Sequence, residues 1–172
     1  MNYVKIFMNY VIRYWAIIVF ILSIIAISSA LIAEYVFNLL PCKMCLYQRY
    51  PYYFIISTFI IFYFFQKKFN IWFYFLTELA IIFGLFYSIW HVGIEQNLLP
   101  VPQSCSGSLK KISSIENLKE QIFNQEIINC NDVSWSIIGF SAATVNAILL
   151  ILFLLFNTVL IIKVYYGKKK NY

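Results

Sequence analysis

At 172 residues the chain has the length of one ordinary domain, yet 62% of its residues are hydrophobic and only 12% charged, which excludes a soluble globular surface. The net charge of +6 does not mark a nucleic-acid binder, because the basic residues are not gathered on a polar domain with interleaved aromatics. The aromatic share of 20% accompanies heavy use of Ile, Phe, Tyr, Asn and Lys, as an A- and T-rich coding bias produces, and carries no functional inference.

A helix needs about 20 predominantly apolar residues to cross a bilayer core. The first such run, about 14–33 (YWAIIVFILSIIAISSALIA), follows Lys5 and Arg13. It exceeds the roughly 7–15-residue apolar region of a signal peptide and is expected as an uncleaved helix. A short segment, 34–49, then carries Cys42, Cys45 and Arg49 within the stretch "LLPCKMCLYQRYPYY" (39–53), which leads into a second, shorter run at about 50–65. The third run is 69–90, ending beside His91, and the fourth is 137–162; a long segment, 91–134, separates them. The expected fold is an all-α, single-domain bundle of four membrane helices.

Charge sets the expected orientation. Four crossings place both termini and the "QKK" turn on one side, with Lys5, Arg13, Lys67, Lys68, Lys163, Lys168, Lys169 and Lys170 and no acidic residue. The other side has Lys43, Arg49, Lys110, Lys111 and Lys119 against Glu34, Glu95, Glu116, Glu120, Glu126 and Asp132. The positive-inside rule makes both termini cytoplasmic, so all four cysteines face outward, where disulfides persist.

Within the long outer segment, "QNLLPVPQSCSGS" reads as an exposed irregular loop that leaves Cys105 accessible to another protein. Beyond it, Ile112, Ile115, Leu118 and Ile122 fall at helical spacing behind a Ser113–Glu116 capping box. This predicts a short amphipathic helix on the membrane surface, holding Cys130 near the bilayer; the alternative is a loop that happens to contain apolar residues. Glu78, inside the third run, is costly in hydrocarbon and is expected as a protonated carboxyl hydrogen-bonded between helices.

Cys42, Cys45, Cys105 and Cys130 are compatible with disulfides or with metal ligands. A closed zinc site would need a second closely spaced pair or more histidines, and His91 is the only one. Inert stapling suits a small secreted domain short of core, which a four-helix membrane protein is not. The redox reading treats Cys-x-x-Cys as a dithiol with a neighbouring cation, Arg49, lowering a thiol pKa. Positions 42, 45 and 49 share one face if the helix is continuous, but Pro51 disfavours helical geometry at Tyr50 and is able to start the second span afresh. Alone, Arg49 would read as a lipid-headgroup anchor; the adjacent Cys-x-x-Cys argues otherwise.

"PCKMCLYQRYPYY", "WHVGIEQNLLPVPQSC" and "NCNDVSWSIIGFSAATVNAI" together resemble the disulfide bond formation protein B (DsbB) family of bacterial inner-membrane oxidoreductases, over almost the whole chain. The resemblance implies four transmembrane helices, cytoplasmic termini and two periplasmic disulfides, Cys42–Cys45 and Cys105–Cys130. It implies that electrons pass from a DsbA-like thioredoxin-fold partner to the Cys105–Cys130 pair, then to Cys42–Cys45, and on to ubiquinone or menaquinone and the respiratory chain, without metal. By position, Arg49, His91 and Cys45 resemble the quinone-binding residues, with Cys45 expected as the quinone-facing thiolate and Arg49 its electrostatic partner. Gln48 departs from members that carry Glu, and the spacing from the histidine to the first loop cysteine is not uniform in the family. Two other classes stay open beside this one: a Cys/His metal-binding or transport protein, and a non-catalytic stapled membrane factor.

Overall fold

The computed structural model describes residues 2–66, 71–102, 105, 130–131, 136–137 and 139–169. Its long helices are α1 (Asn2–Tyr35), α2 (Lys43–Ile61, prolonged by a π-helical turn, Phe62–Gln66), α3 (Ile71–Glu95) and α4 (Ala142–Lys169). A two-residue hairpin, β1 (Ser136–Ile137) and β2 (Phe140–Ser141), turns on Gly139 at φ +83° just before α4. The segment expected as an amphipathic helix, 112–122, and Lys67 and Lys68 of the expected turn lie outside the described residues.

Among the described residues, three helices are long and apolar enough to cross a membrane: Tyr14–Tyr35, Ile71–Glu95 and Ala142–Tyr166. The expected second span does not meet that test, because the 19 residues of α2 include Lys43, Gln48, Arg49 and four tyrosines. Outward-facing Ile21, Ile25, Phe86, Leu155 and Ile162 leave an apolar exterior that suits lipid rather than water.

Three of the helix boundaries nearest the cysteines differ from the sequence expectation, each with a local cause. α2 starts at Lys43 rather than near 50 and runs through Pro51 unbroken. The proline ring seats against Gly84 of α3, where a Cβ would lie 2.6 Å from Pro51 Cγ. A small residue thus permits the close helix approach that accommodates the ring. α3 continues past 90 to Glu95, and ends where Asn97 takes a left-handed φ of 57° and Leu98 N–H bonds Gly93 O at 2.8 Å. α4 begins five residues later than expected, because Ser141 caps it: its Oγ accepts from Thr144 N–H at 3.2 Å.

α2 packs between α1 and α3, and α3 packs closely on α4. Trp15 and Val19 of α1, Ile55 and Phe59 of α2, Phe73 and Ile81 of α3, and Leu150 and Phe153 of α4 share one buried cluster. A polar clamp crosses it. Asn157 Nδ2 donates to Tyr74 O at 2.8 Å and to Glu78 Oε2 at 2.6 Å, while Trp15 Nε1 donates to Asn157 Oδ1 at 3.1 Å. Thr158 Oγ1 bonds the other Glu78 oxygen at 2.5 Å. Glu78 therefore bridges α3 and α4, where interhelical hydrogen bonds average about 0.6 kcal/mol. Glu78→Gln, which keeps an acceptor, is expected to melt in detergent close to wild type, and Glu78→Leu to lose on the order of 1 kcal/mol; equal melting of both variants would remove Glu78 from the clamp.

Candidate functional site

Pro41 and Cys42 precede the first turn of α2, and Cys42 becomes its N-cap, with extended backbone at φ −69° and ψ 165°. Its sulfur accepts the Cys45 N–H at 3.2 Å, in the position where a helix N-terminus stabilises negative charge. Cys45, one turn on, brings its Sγ to 2.9 Å from that of Cys42. Both are free thiols, so the Cys42–Cys45 bond implied by the resemblance is open in this structure.

The extension of α3 carries His91 to Cys42, with Nε2 at 3.6 Å from the sulfur. Gln48 bonds His91 Nδ1 at 2.9 Å, and Glu95 stands 3.8 Å from Nε2. The Cys42 thiol is pushed down to about 5: the hydrogen bond from Cys45 does most of this, His91 adds a hydrogen bond and charge, and burial opposes them. Cys45 is pushed up from its ordinary value by holding the proton shared with Cys42 and by burial, and the charge of Arg49 does not reverse this. These contacts favour negative charge on Cys42 over Cys45, where the sequence reading places the thiolate. Arg49 is itself in an ion pair with Glu34 at 2.5 Å.

A depressed thiol ionises early as pH rises. Thiolate absorbance near 240 nm in the reduced protein is expected to titrate with a midpoint near pH 5 for Cys42. A single midpoint near 9, the ordinary value, would show that these contacts do not act on the sulfur.

Cys45 also faces a partly open cavity of about 300 Å³ between α1, α2 and α4. Its walls are mostly aliphatic, from Leu22, Ile25, Ala30, Ala143 and Leu149, with Gln48, Arg49, Tyr52 and Asn146 as polar points. Cys42 and His91 stand behind this wall, so among the residues expected around a quinone the structure brings Cys45 and Arg49 to the cavity, and connects His91 to it only through Gln48.

The second cysteine pair lies against the first. Cys105 and Cys130 form a disulfide, and both pack with Cys42, Met44 and Ile94 in one buried cluster flanked by Trp90 and Val101. Cys105 is 3% exposed and Cys130 0%, which corrects the expectation of an accessible Cys105. The apolar neighbours explain it: a disulfide is itself apolar and is favoured against Ile94, Met44 and Val101 over water. His91 also interacts with the backbone of Cys130, so one histidine touches both pairs.

Cys42, Cys45 and His91 offer three ligand atoms within 4.8 Å of one another, a donor set of the kind that soft cations take. Sequence reasoning missed Glu34, Ser88 and Asn146. Asn146 had a signal, as an isolated amide at the start of an apolar run.

A helical membrane protein that sets a histidine-flanked dithiol against a buried disulfide, beside an apolar cavity, falls in the class of membrane proteins of thiol–disulfide chemistry. The model of the family "Disulfide bond formation protein DsbB" matches residues 12–160, and the chain belongs to that family. It is 31% identical to the uncharacterized protein RP370 of Rickettsia prowazekii (strain Madrid E) over 140 residues, covering 78% of this chain and 79% of that one. No solved structure matches the chain. Family membership makes it an oxidoreductase of disulfide bond formation.

Proposed function

We propose that the chain oxidises a DsbA-like thioredoxin-fold protein at Cys105–Cys130 and passes the electrons through Cys42–Cys45 to a membrane quinone. The observation that carries this reading is the packing of both cysteine pairs in one buried cluster, with Cys45 turned to an apolar cavity. A quinone suits that cavity by the chemistry of its walls: aliphatic side chains for the ring and tail, with the Arg49 guanidinium and the Gln48 amide as donors for the oxygens. When bound, it supplies a two-electron acceptor of high potential, which a partner poised near about −120 mV requires.

The steps on the protein are thiol exchanges. A partner thiolate attacks Cys105, Cys130 leaves as thiolate, and the partner's second thiol displaces Cys105, so the partner departs as a disulfide and the loop pair as a dithiol. The loop dithiol then reduces Cys42–Cys45, and its own disulfide forms again. The Cys42 thiolate and the Cys45 thiol then close to a disulfide, giving up two electrons and the one proton that Cys45 carries. The charge asymmetry of the sequence supports cytoplasmic termini and periplasmic cysteines in a bacterial inner membrane.

Purified protein in detergent with a reduced thioredoxin-fold partner is expected to bleach ubiquinone or menaquinone absorbance catalytically; no bleaching with any such partner would overturn the reading. Arg49→Ala is expected to raise the apparent KM for quinone roughly tenfold or more, the scale of one charged hydrogen bond at about 1.5–3 kcal/mol, with exchange at Cys105 preserved. An unchanged KM would take Arg49 out of the quinone site. A second reading, soft-metal binding, rests on the convergence of Cys42, Cys45 and His91; metal analysis of the reduced protein with and without chelator separates the two.

A further inference from the structure

By sequence position alone Arg49 would reach outward to lipid headgroups, yet it lines the cavity, and the side chain that holds it is Glu34. Glu34 stands in the last turn of α1, where the negative end of the helix dipole disfavours a carboxylate, so its own helix gains nothing from the charge. The backbone beneath it is fixed. Val36 N–H bonds Ile32 O at 2.9 Å, Leu39 N–H bonds Ala33 O at 3.0 Å, and Asn38 takes a left-handed φ of 53° as the chain turns toward α2. Arg49 is anchored as firmly, in the second turn of α2. The two side chains are 13% and 20% exposed, so their pairing is shielded from water to a degree that a surface ion pair is not. Only Nη1 of the guanidinium is spent on Glu34 Oε2, which leaves a planar fork with donors to spare. Glu34 is not among the side chains that line the cavity, and it reaches a molecule there only through Arg49.

We propose that Glu34 is a positioning residue of the quinone site: it holds the Arg49 guanidinium on the cavity wall with its fork fixed, and so sets the affinity for the quinone oxygens. The proposal rests on the reading of this cavity as a quinone site. Without the carboxylate, a half-buried charge has no partner, and the long arginine stem carries it outward to water and headgroups. An unpaired guanidinium that stayed in place would attract a quinone oxygen more strongly, but the partly open cavity lets the stem leave, so position decides the sign.

Full-length protein in detergent tests this with a short-tailed benzoquinone as the probe. Isothermal titration is expected to show binding weakened roughly threefold to tenfold in Glu34→Leu, the scale of one net hydrogen bond, and by less in Glu34→Gln, whose amide oxygen still accepts from the guanidinium. Glu34→Leu combined with Arg49→Ala is expected to bind no more weakly than Arg49→Ala alone, because Glu34 acts through Arg49. Exchanging the charges, Glu34→Arg with Arg49→Glu, restores an ion pair between α1 and α2 and is expected to restore the melting temperature. It also sets a carboxylate on the cavity wall, so binding is expected to stay lost, whereas a pair that only ties the helices would return binding together with stability. Labelling the two arginines of the chain, Arg13 and Arg49, with 15N is expected to show hindered rotation of the Arg49 guanidinium in wild type and free rotation in Glu34→Leu. Unchanged or tighter binding in Glu34→Leu, binding regained by the exchange, additive losses in the combined variant, or an Arg49 guanidinium equally mobile with and without Glu34 overturns the proposal. None of these readouts needs a partner protein or turnover. Binding that responds to Glu34 in a protein that reduces no quinone would therefore sink the proposed function and leave the positioning of Arg49 standing, and no binding by wild type would overturn both.

Discussion

Cys42→Ser is expected to reduce electron transfer from dithiol partner to quinone to background, with the protein still inserted and helical. The serine cannot close a bond with Cys45, so the loop dithiol has no disulfide to reduce and the path stops after one partner turnover. Cys45→Ser is expected to stop the same step from the other side, and it also removes the sulfur that faces the cavity. The two variants part company in the thiolate titration. Cys45→Ser retains the Cys42 sulfur with its His91 and helix N-terminal contacts, whereas Cys42→Ser leaves a thiol at 45 without them. Quinone bleaching, scored against insertion and circular dichroism, gives the first result; wild-type turnover in either variant would sink the assignment of the pair.

Gly84→Ala should carry a larger structural penalty than Gly93→Ala, the other helical glycine near the site. The new Cβ would stand 2.6 Å from Pro51 Cγ and 3.1 Å from Leu150 Cδ1, at the point where α2, α3 and α4 meet. A proline ring cannot swing aside, so α2 must shift, and overpacking of this kind costs about 1–3 kcal/mol. Pro51 is followed by Tyr52 and preceded within one turn by Gln48 and Arg49, all on the cavity wall, so quinone use is expected to weaken with stability. Gly93→Ala is the matched control: its Cβ would meet Leu99 Cδ1 at 2.7 Å, the far end of a side chain that can rotate away. Thermal melting in detergent should separate the two clearly, and equal melting temperatures would refute the argument from the Pro51 seat.

The membrane character, the approximate positions of the three described helices long and apolar enough to cross, and the four sulfurs were legible in the sequence, because long apolar runs and Cys-x-x-Cys need no tertiary information. The start of α2 was not. Pro51 argued for a break at Tyr50, and only the glycine on a neighbouring helix, 33 positions away, makes the ring tolerable. Arg49 illustrates the opposite failure: its charge was visible, but its partner Glu34 sits on α1, and pairing across helices leaves no mark on spacing. Cys42 and His91 are 49 positions apart, so their contact was equally out of reach. Asn146 illustrates a signal available and unused, since a lone amide in an apolar helix needs partners that only another helix supplies.

The burial of Cys105 and Cys130 has a consequence for fidelity. An electron path that ends in a strong oxidant is a hazard if any passing thiol can feed it, since every such event drains the quinone pool without oxidising a client. With both sulfurs buried against Ile94, Met44 and Trp90, the proposed function predicts that a small thiol such as glutathione reduces the bond far more slowly than a protein dithiol that binds the surface and displaces that cover. On that reading the side chains that hold the sulfurs together also act as insulation, and selectivity is exercised before any chemistry begins.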